Sequence, residues 1–438
     1  MFNRLFDLEA HGTTLKREVV AGVTTFLTMG YIIFVNPQIL YQAGMDQQSV
    51  FMATCLAAAA TTLLMGLFAR LPVALAPGMG LNVYFAHTVV PALNYDWQLA
   101  LGCVFLSGIL FVLISVTPLR EWLINAIPKS LKLSIAAGIG FFLAVIGLEK
   151  AGVVETGGSL SLLTSGYLGD PEVLLAAGGF VVIFALAAWR ITGAVMIGIV
   201  AVTIGAVVAG VQLPPSAVTG FPPSIAPTWL QLHFEGPESV VVTTVLVFLL
   251  IDMLDTSGTL TAVAYRANLL DEKGRIPNLR RALATDAVGT MIGAALGTSP
   301  VTAYIESTAG IQAGGRTGLT AVVVAVLFVL AIFFSPLVQS VPACATAPAL
   351  IFVAVLMVKG LKEIDWDDLT EAAPAVLTAL AIPLTYSIAT GIGIGFLAYV
   401  AVKLVSWRWR DLNFAVIVIA LAFAAKIATD LPPNLHHG

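Results

Sequence analysis

Three acidic side chains lie within stretches of sequence that are otherwise apolar. Asp252 and Asp255 interrupt a run that begins at Val240, and Glu306 lies between two long apolar segments. An ionised carboxylate costs several kcal/mol at membrane depth, so such residues usually face a cavity, a partner or a proton path. Because Asp252 and Asp255 are three positions apart, they share one face of a helix. These carboxylates are therefore the first candidates for a functional site.

Proton exchange is one role that the three carboxylates can serve. A carboxylate that is buried beside a second carboxylate holds a proton more readily than an exposed one. Asp252, Asp255 and Glu306 are therefore candidates for proton coupling. The alternative for Asp255 is structural, because the sequence TSG that follows it could mark a capped break in the helix.

Two apolar segments contain glycine and proline where a membrane-spanning helix would be continuous. They are the third segment, with Pro72, Pro77, Gly78 and Gly80, and the tenth, with Gly297, Thr298, Ser299 and Pro300. A half-helix that begins inside the membrane leaves N–H groups that need an acceptor. Matched breaks in two halves of a chain predict half-helices that meet at a binding site. The alternative is that these residues only permit close packing of helices.

Polar and aromatic side chains flank both breaks. Asn82 and Ser299 can add hydrogen bonds to a ligand held there. Tyr84 and Tyr304 can stack on a planar ligand or fill the core, and the sequence leaves both roles open.

The elements that position these residues must lie in a membrane. Of the 438 residues, 58% are hydrophobic and 11% are charged, and the mean hydropathy is +0.96. Soluble domains have roughly 25% charged residues. The net charge of -4 and the lack of a basic tract give no indication of nucleic-acid binding, and we expect no nucleic-acid partner.

The histidines and cysteines do not have the spacing that a metal site or the active site of a membrane-embedded enzyme would need. The mid-chain histidines, His87 and His233, lie near predicted span ends, and Cys55, Cys103 and Cys344 are far apart in apolar stretches. A nucleophile with its base, or a set of metal ligands, would have to lie at membrane depth. We therefore expect neither enzymatic activity nor a cofactor.

Long apolar runs repeat along the whole chain and predict an all-α polytopic membrane protein with about fourteen transmembrane segments. We place them near 19–40, 50–69, 72–90, 98–117, 131–148, 173–189, 193–211, 239–261, 282–296, 299–313, 317–335, 338–358, 374–404 and 412–428. The stretch 374–404 is either one crossing or a hairpin of two short helices, because Pro383 and three glycines interrupt it.

Basic residues orient these segments. Lys and Arg are concentrated before the first segment and in the loop 262–281, whereas the loop 212–238 has none. Cytoplasmic loops carry an excess of these residues. We therefore predict a cytoplasmic N-terminus in the cell (inner) membrane.

Sequence matches between the two halves suggest an internal repeat. Val23-Thr24-Thr25 recurs as Val242-Thr243-Thr244, and Tyr84 recurs as Tyr304, at offsets of 219 and 220 residues. Two halves of seven segments each would run in opposite directions through the membrane, which is the inverted repeat of many secondary transporters.

Four motifs resemble those of a known family. The sequences EVVAGVTTFLTMGYIIFVNP, APGMGLNVYFA, FLLIDMLDTSGTL and GTSPVTAYIESTAGIQAGGRTGLTA occur in this order. Together they resemble the AzgA-like purine permeases of the nucleobase–ascorbate transporter superfamily. The resemblance covers roughly residues 10–400.

This resemblance implies a fold of two inverted repeats divided into core and gate domains. The core would comprise 1–118 and 239–336, and the gate would comprise 119–238 and 337–438. Short strands would precede half-helices in the broken third and tenth segments. A homodimer through the gate domain is a further expectation.

The resemblance also implies import of purine nucleobases (adenine, guanine or hypoxanthine) by proton symport across the lipid bilayer. The family's site residues correspond to Asn82, Asp252, Asp255 and Glu306. The predicted substrate-binding residues are Asn82, Tyr84, Asp252, Ser299, Thr302 and Glu306, and the predicted proton-coupling residues are Asp252, Asp255 and Glu306. The alternative is a uracil or xanthine permease of the same fold.

Overall fold

The structure is a computed structural model that describes residues 6–93, 96–115, 117, 127–156, 163–266 and 278–430. The described helices up to residue 208 are α1 (Leu15–Met29), α2 (Ile32–Tyr41), α3 (Gln47–Leu64), α4 (Met79–Val83), α5 (Val90–Leu93), α6 (Trp97–Ser115), α7 (Lys129–Lys150), α8 (Pro171–Ala188) and α9 (Ala194–Val208). The later ones are α10 (Glu238–Arg266), α11 (Leu279–Leu296), α12 (Ser307–Gln312), α13 (Gly318–Ala331), α14 (Ser335–Gln339), α15 (Ala343–Val358), α16 (Leu369–Leu384), α17 (Ile388–Val405) and α18 (Phe414–Asp430). The short strands are β1 (Leu75–Pro77), β2 (Val154–Thr156), β3 (Leu163–Ser165) and β4 (Val301–Ala303).

Long apolar helices dominate the described part of the chain. Nine helical stretches there have at least 18 residues and enough apolar character to cross a membrane, whose hydrocarbon core is about 30 Å thick. Three shorter apolar helices are Ala194–Val208, Leu369–Leu384 and Phe414–Ala424. The chain is therefore a helical multi-pass membrane protein, as its composition predicts.

Side-chain caps begin several of these helices. The Asp46 carboxylate accepts a hydrogen bond of 2.8 Å from the Ser49 N–H at the start of α3. Asp170 caps α8 in the same way, with Pro171 in the first turn. Such caps satisfy N–H groups that have no partner within the helix.

Contacts divide the chain into two compact units. The first comprises Met1–Thr117 and Ile146–Phe352, and the second comprises Pro118–Val145 and Val353–Gly438. The predicted boundaries of core and gate domains stay a prediction. The basic loop 262–281, predicted to be cytoplasmic, lies in part outside the described residues.

Small residues allow close packing in the first unit. A methyl group added to Gly318 in α13 would overlap the carbonyl oxygen of Gly66, in the π-helical turn Met65–Ala69 that follows α3. The same unit buries apolar side chains of β1 and β4, such as Leu75 and Val301, in one cluster. These strands therefore lie in the core of the unit and not at its surface.

The second unit contains a helical hairpin. Helix α16 ends at Leu384 and α17 begins at Ile388, with Ser387 as its N-cap. The stretch 374–404 is therefore two helices, which is the second of the two alternatives that the sequence left open. Lys403, near the end of α17, is buried and forms an ion pair of 2.7 Å with Glu371 at the start of α16.

Candidate functional site

The site is built on a pair of strands that come from distant parts of the chain. β1 pairs with β4 in antiparallel register, with Leu75 opposite Ala303 and Pro77 opposite Val301. Hydrogen bonds of 2.9 Å from the Gly78 N–H to the Pro300 carbonyl, and from the Tyr304 N–H to the Ala74 carbonyl, extend the ladder at both ends. The short strands predicted in the broken third and tenth segments are thus confirmed.

Helical segments follow both strands. α4 begins at Met79, directly after Gly78. α12 begins at Ser307, whose hydroxyl accepts a hydrogen bond of 3.0 Å from the Ala74 N–H. Because the strands are antiparallel, the two helix starts lie at opposite ends of the ribbon. The breaks at glycine and proline therefore create helix ends inside the first unit, as the sequence predicts.

Side chains from neighbouring elements satisfy the strand backbone. The Thr62 hydroxyl of α3 bonds both the N–H and the carbonyl of Leu75 at 2.9 Å. The Tyr304 hydroxyl donates to the Pro77 carbonyl at 2.6 Å. Unpaired backbone groups are costly in an apolar interior, so these bonds hold the ribbon in place.

Asn82 and Ser299 meet across the two breaks. The Ser299 hydroxyl donates to the Asn82 side-chain oxygen, and both residues are fully buried. Within the described residues, the Asn82 Nδ2 has no hydrogen-bond partner. A buried donor without a partner is costly, and an acceptor on a bound ligand would remove that cost.

The two aspartates of α10 each accept a hydrogen bond from a threonine that lies in β4 or bonds its backbone. The Asp252 carboxylate accepts a hydrogen bond of 2.8 Å from Thr290 in α11, whose hydroxyl also lies 3.2 Å from the Val301 carbonyl. The Asp255 carboxylate accepts a longer bond of 3.5 Å from Thr302. Asp252 is buried, whereas Asp255 is half-buried. This hydrogen bond connects Asp255 with Thr302 of β4, which is one of the predicted substrate-binding residues.

Glu306 lies just after β4 and is half-buried. Its Oε1 accepts a hydrogen bond of 2.7 Å from the Tyr31 hydroxyl. Tyr31 lies between α1 and α2, so the first segment is also interrupted beside the site. This bond connects the Glu306 carboxyl group to the first segment.

The two tyrosines that flank the breaks have structural contacts. The Tyr84 ring packs edge-to-face on Phe248, with ring centroids 4.9 Å apart. Tyr304 is buried with its hydroxyl on Pro77. These contacts favour the core-filling role of both rings, and ligand binding by Tyr84 stays a prediction.

Three residues of the site were not predicted from the sequence. Tyr31 holds Glu306, and Asn36 donates to Thr298 at 2.8 Å. Asp286 is a fully buried carboxylate in α11 that accepts a bond of 2.7 Å from Thr256. Asp286 interrupts an apolar run as Asp252 does, so the same criterion would have found it. Tyr31 and Asn36 have no comparable local signal.

Comparisons with solved structures place this fold among known transporters. The transmembrane domain of a cyanobacterial bicarbonate transporter, BicA, superposes with a TM-score of 0.66 at 17% identity, over 86% of this chain and 97% of that domain. The murine Solute Carrier 26 family member A9 anion transporter, in its inward-facing state, gives 0.64 at 10% identity over 90% and 69%. At such low identity the likeness concerns the fold alone.

Several relatives with similar sequences are named as purine permeases. The adenine permease AdeQ of Escherichia coli is 46% identical over 97% of this chain and 96% of its own length. The guanine/hypoxanthine permease PbuO of Bacillus subtilis is 43% identical over 97% and 99%.

A family model identifies the chain as a transport protein. The model described as the Permease family (Xan_ur_permease) matches residues 16–394, which include every predicted site residue. This match confirms the expectation of a permease rather than an enzyme. The chain belongs to the Permease family.

Proposed function

We propose that this permease imports purine nucleobases, adenine, guanine or hypoxanthine, by proton symport. One observation carries the proposal: the strands β1 and β4 bring Asn82, Ser299 and Thr302 into one unit with the carboxylates of Asp255 and Glu306. The similarity to adenine and guanine/hypoxanthine permeases supports the same substrate class.

The side chains of the site complement the edges of a purine. A purine is flat and carries N–H donors beside ring nitrogens or a carbonyl that accept. The Asn82 Nδ2 is a buried donor suited to a ring nitrogen or a carbonyl. Glu306 and Asp252 are acceptors suited to ring or exocyclic N–H groups. A site that pairs such edges rejects analogues that leave its buried groups without partners.

Proton coupling is assigned to the carboxylates Asp252, Asp255 and Glu306. Asp255 accepts a hydrogen bond from Thr302 in β4, and Glu306 lies three positions after the last residue of β4. If one carboxylate must be protonated before the loaded carrier reorients, uptake of the base follows the proton gradient. A carboxylate at membrane depth is costly when it is charged. Its protonation can therefore couple the movement of the carrier to the movement of a proton.

The finer architecture belongs to the same proposal. We infer about fourteen segments in two inverted repeats, with core and gate domains, an N-terminus in the cytoplasm and a homodimer formed through the gate domain. The two paired strands support a repeat, because a short helix follows each of them, α4 after β1 and α12 after β4. β1 begins at Leu75 and β4 begins at Val301, 226 positions later. The tyrosine match at an offset of 220 does not follow this spacing, so Tyr84 and Tyr304 occupy different positions relative to the strands.

Uptake of radiolabelled hypoxanthine into proteoliposomes tests the proposal. The purified protein is assayed with and without an inward proton gradient, and unlabelled adenine, guanine, uracil and xanthine compete. Gradient-driven accumulation that adenine or guanine blocks is the expected result. Preferential inhibition by uracil or xanthine would favour the alternative substrate, and a lack of uptake and binding of all these bases would refute a nucleobase permease.

Three variants test the residue assignments separately. Glu306→Gln is expected to lose purine binding, whereas Glu235→Gln, at an exposed acid, serves as the control. Asp252→Asn and Asp255→Asn are compared for accumulation driven by the proton gradient. Wild-type affinity in Glu306→Gln would exclude Glu306 as a ligand, and full accumulation in both aspartate variants would exclude their role in coupling.

A further inference from the structure

The hydroxyl of Thr290 lies between a candidate proton-coupling carboxylate and the strand β4. Its oxygen is 2.8 Å from the Asp252 Oδ2 and 3.2 Å from the Val301 carbonyl oxygen. Thr290, Asp252 and Val301 are each at most 1% exposed. One buried hydroxyl of α11 therefore connects α10 with β4.

The Val301 carbonyl lies on the side of β4 that faces away from β1. The ladder bonds run from the Gly78 N–H to the Pro300 carbonyl and from the Tyr304 N–H to the Ala74 carbonyl. Neighbouring residues of a strand direct their carbonyls to opposite edges, so that of Val301 points to the other edge. The Thr290 hydroxyl supplies a donor on that side.

A hydroxyl has one hydrogen, so Thr290 donates fully to only one of these two acceptors at a time. When Asp252 is ionised, the bond to the carboxylate is the stronger one and takes the hydrogen. When the Asp252 Oδ2 carries a proton, it donates to the Thr290 oxygen, and the Thr290 hydrogen then goes to Val301. The protonation of Asp252 therefore determines whether the Val301 carbonyl receives this donor.

We infer that Thr290 transmits the protonation of Asp252 to β4, so that a proton on Asp252 strengthens the binding of the purine. The candidate ligand residues Ser299 and Thr302 lie on either side of Val301. A carbonyl that loses its donor in an apolar interior is costly, and this cost falls on the strand that positions both residues. By linkage, the bound purine raises the affinity of Asp252 for its proton by the same factor.

The inference rests on the proposed function, because it concerns the proton and the purine of the same site. It goes beyond that function in naming the side chain that couples the two. Thr290 acts through Asp252 and β4 and is a positioning residue.

Other titratable side chains surround this cluster and have to be considered in a pH experiment. Three are carboxylic acids on the same or the next element: Asp255, Asp286 and Glu306. Four others lie on or next to elements packed against α10 and α11: Cys55, Tyr84, Cys103 and Tyr304. Cysteine and tyrosine ordinarily lose their protons near pH 8.5 and about pH 10, so the acids are the groups that a change from acidic to neutral pH affects. The charged residues at the helix starts lie more than two turns from the cluster: Glu238, Arg280 and Arg281.

Thr290→Val tests the inference, because valine has nearly the shape of threonine and lacks the hydroxyl. Binding of radiolabelled hypoxanthine to the purified protein gives the Kd at a series of pH values. In the wild type we expect the Kd to rise by about fivefold as Asp252 loses its proton, which corresponds to one neutral hydrogen bond. In Thr290→Val the Kd should stay near the high-pH value of the wild type throughout. Thr290→Ser retains the hydroxyl and should restore the dependence on pH.

Two buried threonines provide matched controls. Thr62 bonds the N–H and the carbonyl of Leu75 in β1 at 2.9 Å and, among the described residues, bonds no carboxylate. Thr256 donates to the Asp286 carboxylate at 2.7 Å, again between α10 and α11, and within the described part of the chain it bonds neither strand. We expect Thr62→Val and Thr256→Val to keep the wild-type change of Kd with pH, even if Thr62→Val raises the Kd at every pH.

The outcomes separate this inference from the proposed function. A wild type that binds no purine at any pH would refute both. If the wild type binds purine with a Kd that does not depend on pH, or if Thr290→Val keeps the full change in Kd, the role of Thr290 is overturned and the purine site is retained. An equal loss of pH dependence in Thr290→Val and Thr256→Val would also overturn it, because any bond between the two helices would then have the same effect.

Discussion

Asn36 donates from its Nδ2 to the Thr298 hydroxyl at 2.8 Å and so connects the first segment to the loop before β4. The same amide nitrogen donates to Thr54 in α3 at 2.7 Å. Thr298 is adjacent to Ser299, whose hydroxyl bonds Asn82. One buried side chain of α2 thus supports the loop that supplies a candidate ligand residue.

Replacement of Asn36 by alanine is expected to weaken substrate binding. The change removes both donors and leaves the Thr54 and Thr298 oxygens with one partner fewer, at a cost of about 1–3 kcal/mol. We expect a higher KM because Ser299 is held less firmly. Gln38→Ala is the control, because Gln38 lies on the same helix as Asn36. Its amide donates to the Val341 carbonyl at 3.0 Å and not to the loop before β4. Equal effects of the two variants on KM would contradict the positioning role of Asn36.

Gly78 is expected to tolerate no side chain. A Cβ atom at this position would lie 2.9 Å from the Thr302 hydroxyl and 3.1 Å from its methyl group. Gly78→Ala should therefore push β1 away from β4 and abolish transport with little loss of membrane insertion. The readout is uptake normalised to the amount of folded protein.

Gly258→Ala provides the comparison for this glycine variant. Gly258 lies in α10 close to the two aspartates, and a Cβ atom there would meet nothing within 4 Å. Alanine favours a helix over glycine by about 1 kcal/mol, so the protein should be as stable as the wild type or slightly more stable. If Gly258→Ala lost uptake and Gly78→Ala retained it, both predictions would be wrong.

Glu18 is expected to contribute strongly to stability. It is fully buried in the first turn of α1, and its carboxylate accepts hydrogen bonds from the Thr320 hydroxyl at 2.6 Å and from the Arg316 and Thr317 N–H groups at 2.9 and 3.3 Å. These bonds satisfy N–H groups at the start of α13. Glu18→Ala should lower the free energy of unfolding by about 2–4 kcal/mol.

Thermal unfolding in detergent measures this effect. Glu172→Ala is the matched control, because Glu172 also lies in the first turn of a helix but is exposed. We expect its midpoint to stay near that of the wild type. A midpoint for Glu18→Ala equal to that of Glu172→Ala would exclude the stabilising role of the buried carboxylate.

The ion pair of Lys403 and Glu371 is expected to be costly to break from one side. The side chains are 2% and 23% exposed, and Glu371 also accepts from Tyr399 and Ser130. Lys403→Met leaves a largely buried carboxylate without its counter-ion, which costs about 2–4 kcal/mol. The double variant with Glu371→Gln should recover part of that loss, because the uncompensated charge is removed.

An exposed pair in the same unit is the reference for this ion pair. Lys129 and Glu363 are 2.9 Å apart, but their side chains are 68% and 50% exposed. Exposed pairs contribute at most about 1 kcal/mol, so Lys129→Met should be nearly neutral. If Lys403→Met were equally neutral in thermal unfolding, the buried pair would have no greater role than the exposed one.

The sequence by itself determined the class of the protein and the places where its helices break. Apolar runs, and the clusters of proline and glycine at residues 77–80 and 297–300, are local patterns that follow from the hydrocarbon thickness and from backbone geometry. The same local reasoning identified Asp252, Asp255 and Glu306, because a carboxylate in an apolar run is conspicuous. Asp286, which also lies in an apolar run, meets the same criterion.

Tertiary structure alone decided which of these residues meet. The pairing of Leu75 with Ala303 and the bond from Tyr31 to Glu306 join positions more than two hundred residues apart. No periodicity within a segment encodes such a contact, because it depends on how several helices pack against one another. A tyrosine or an asparagine in a membrane helix can equally fill the core, so the partners of Tyr31 and Asn36 became apparent only when the packed helices fixed the distances.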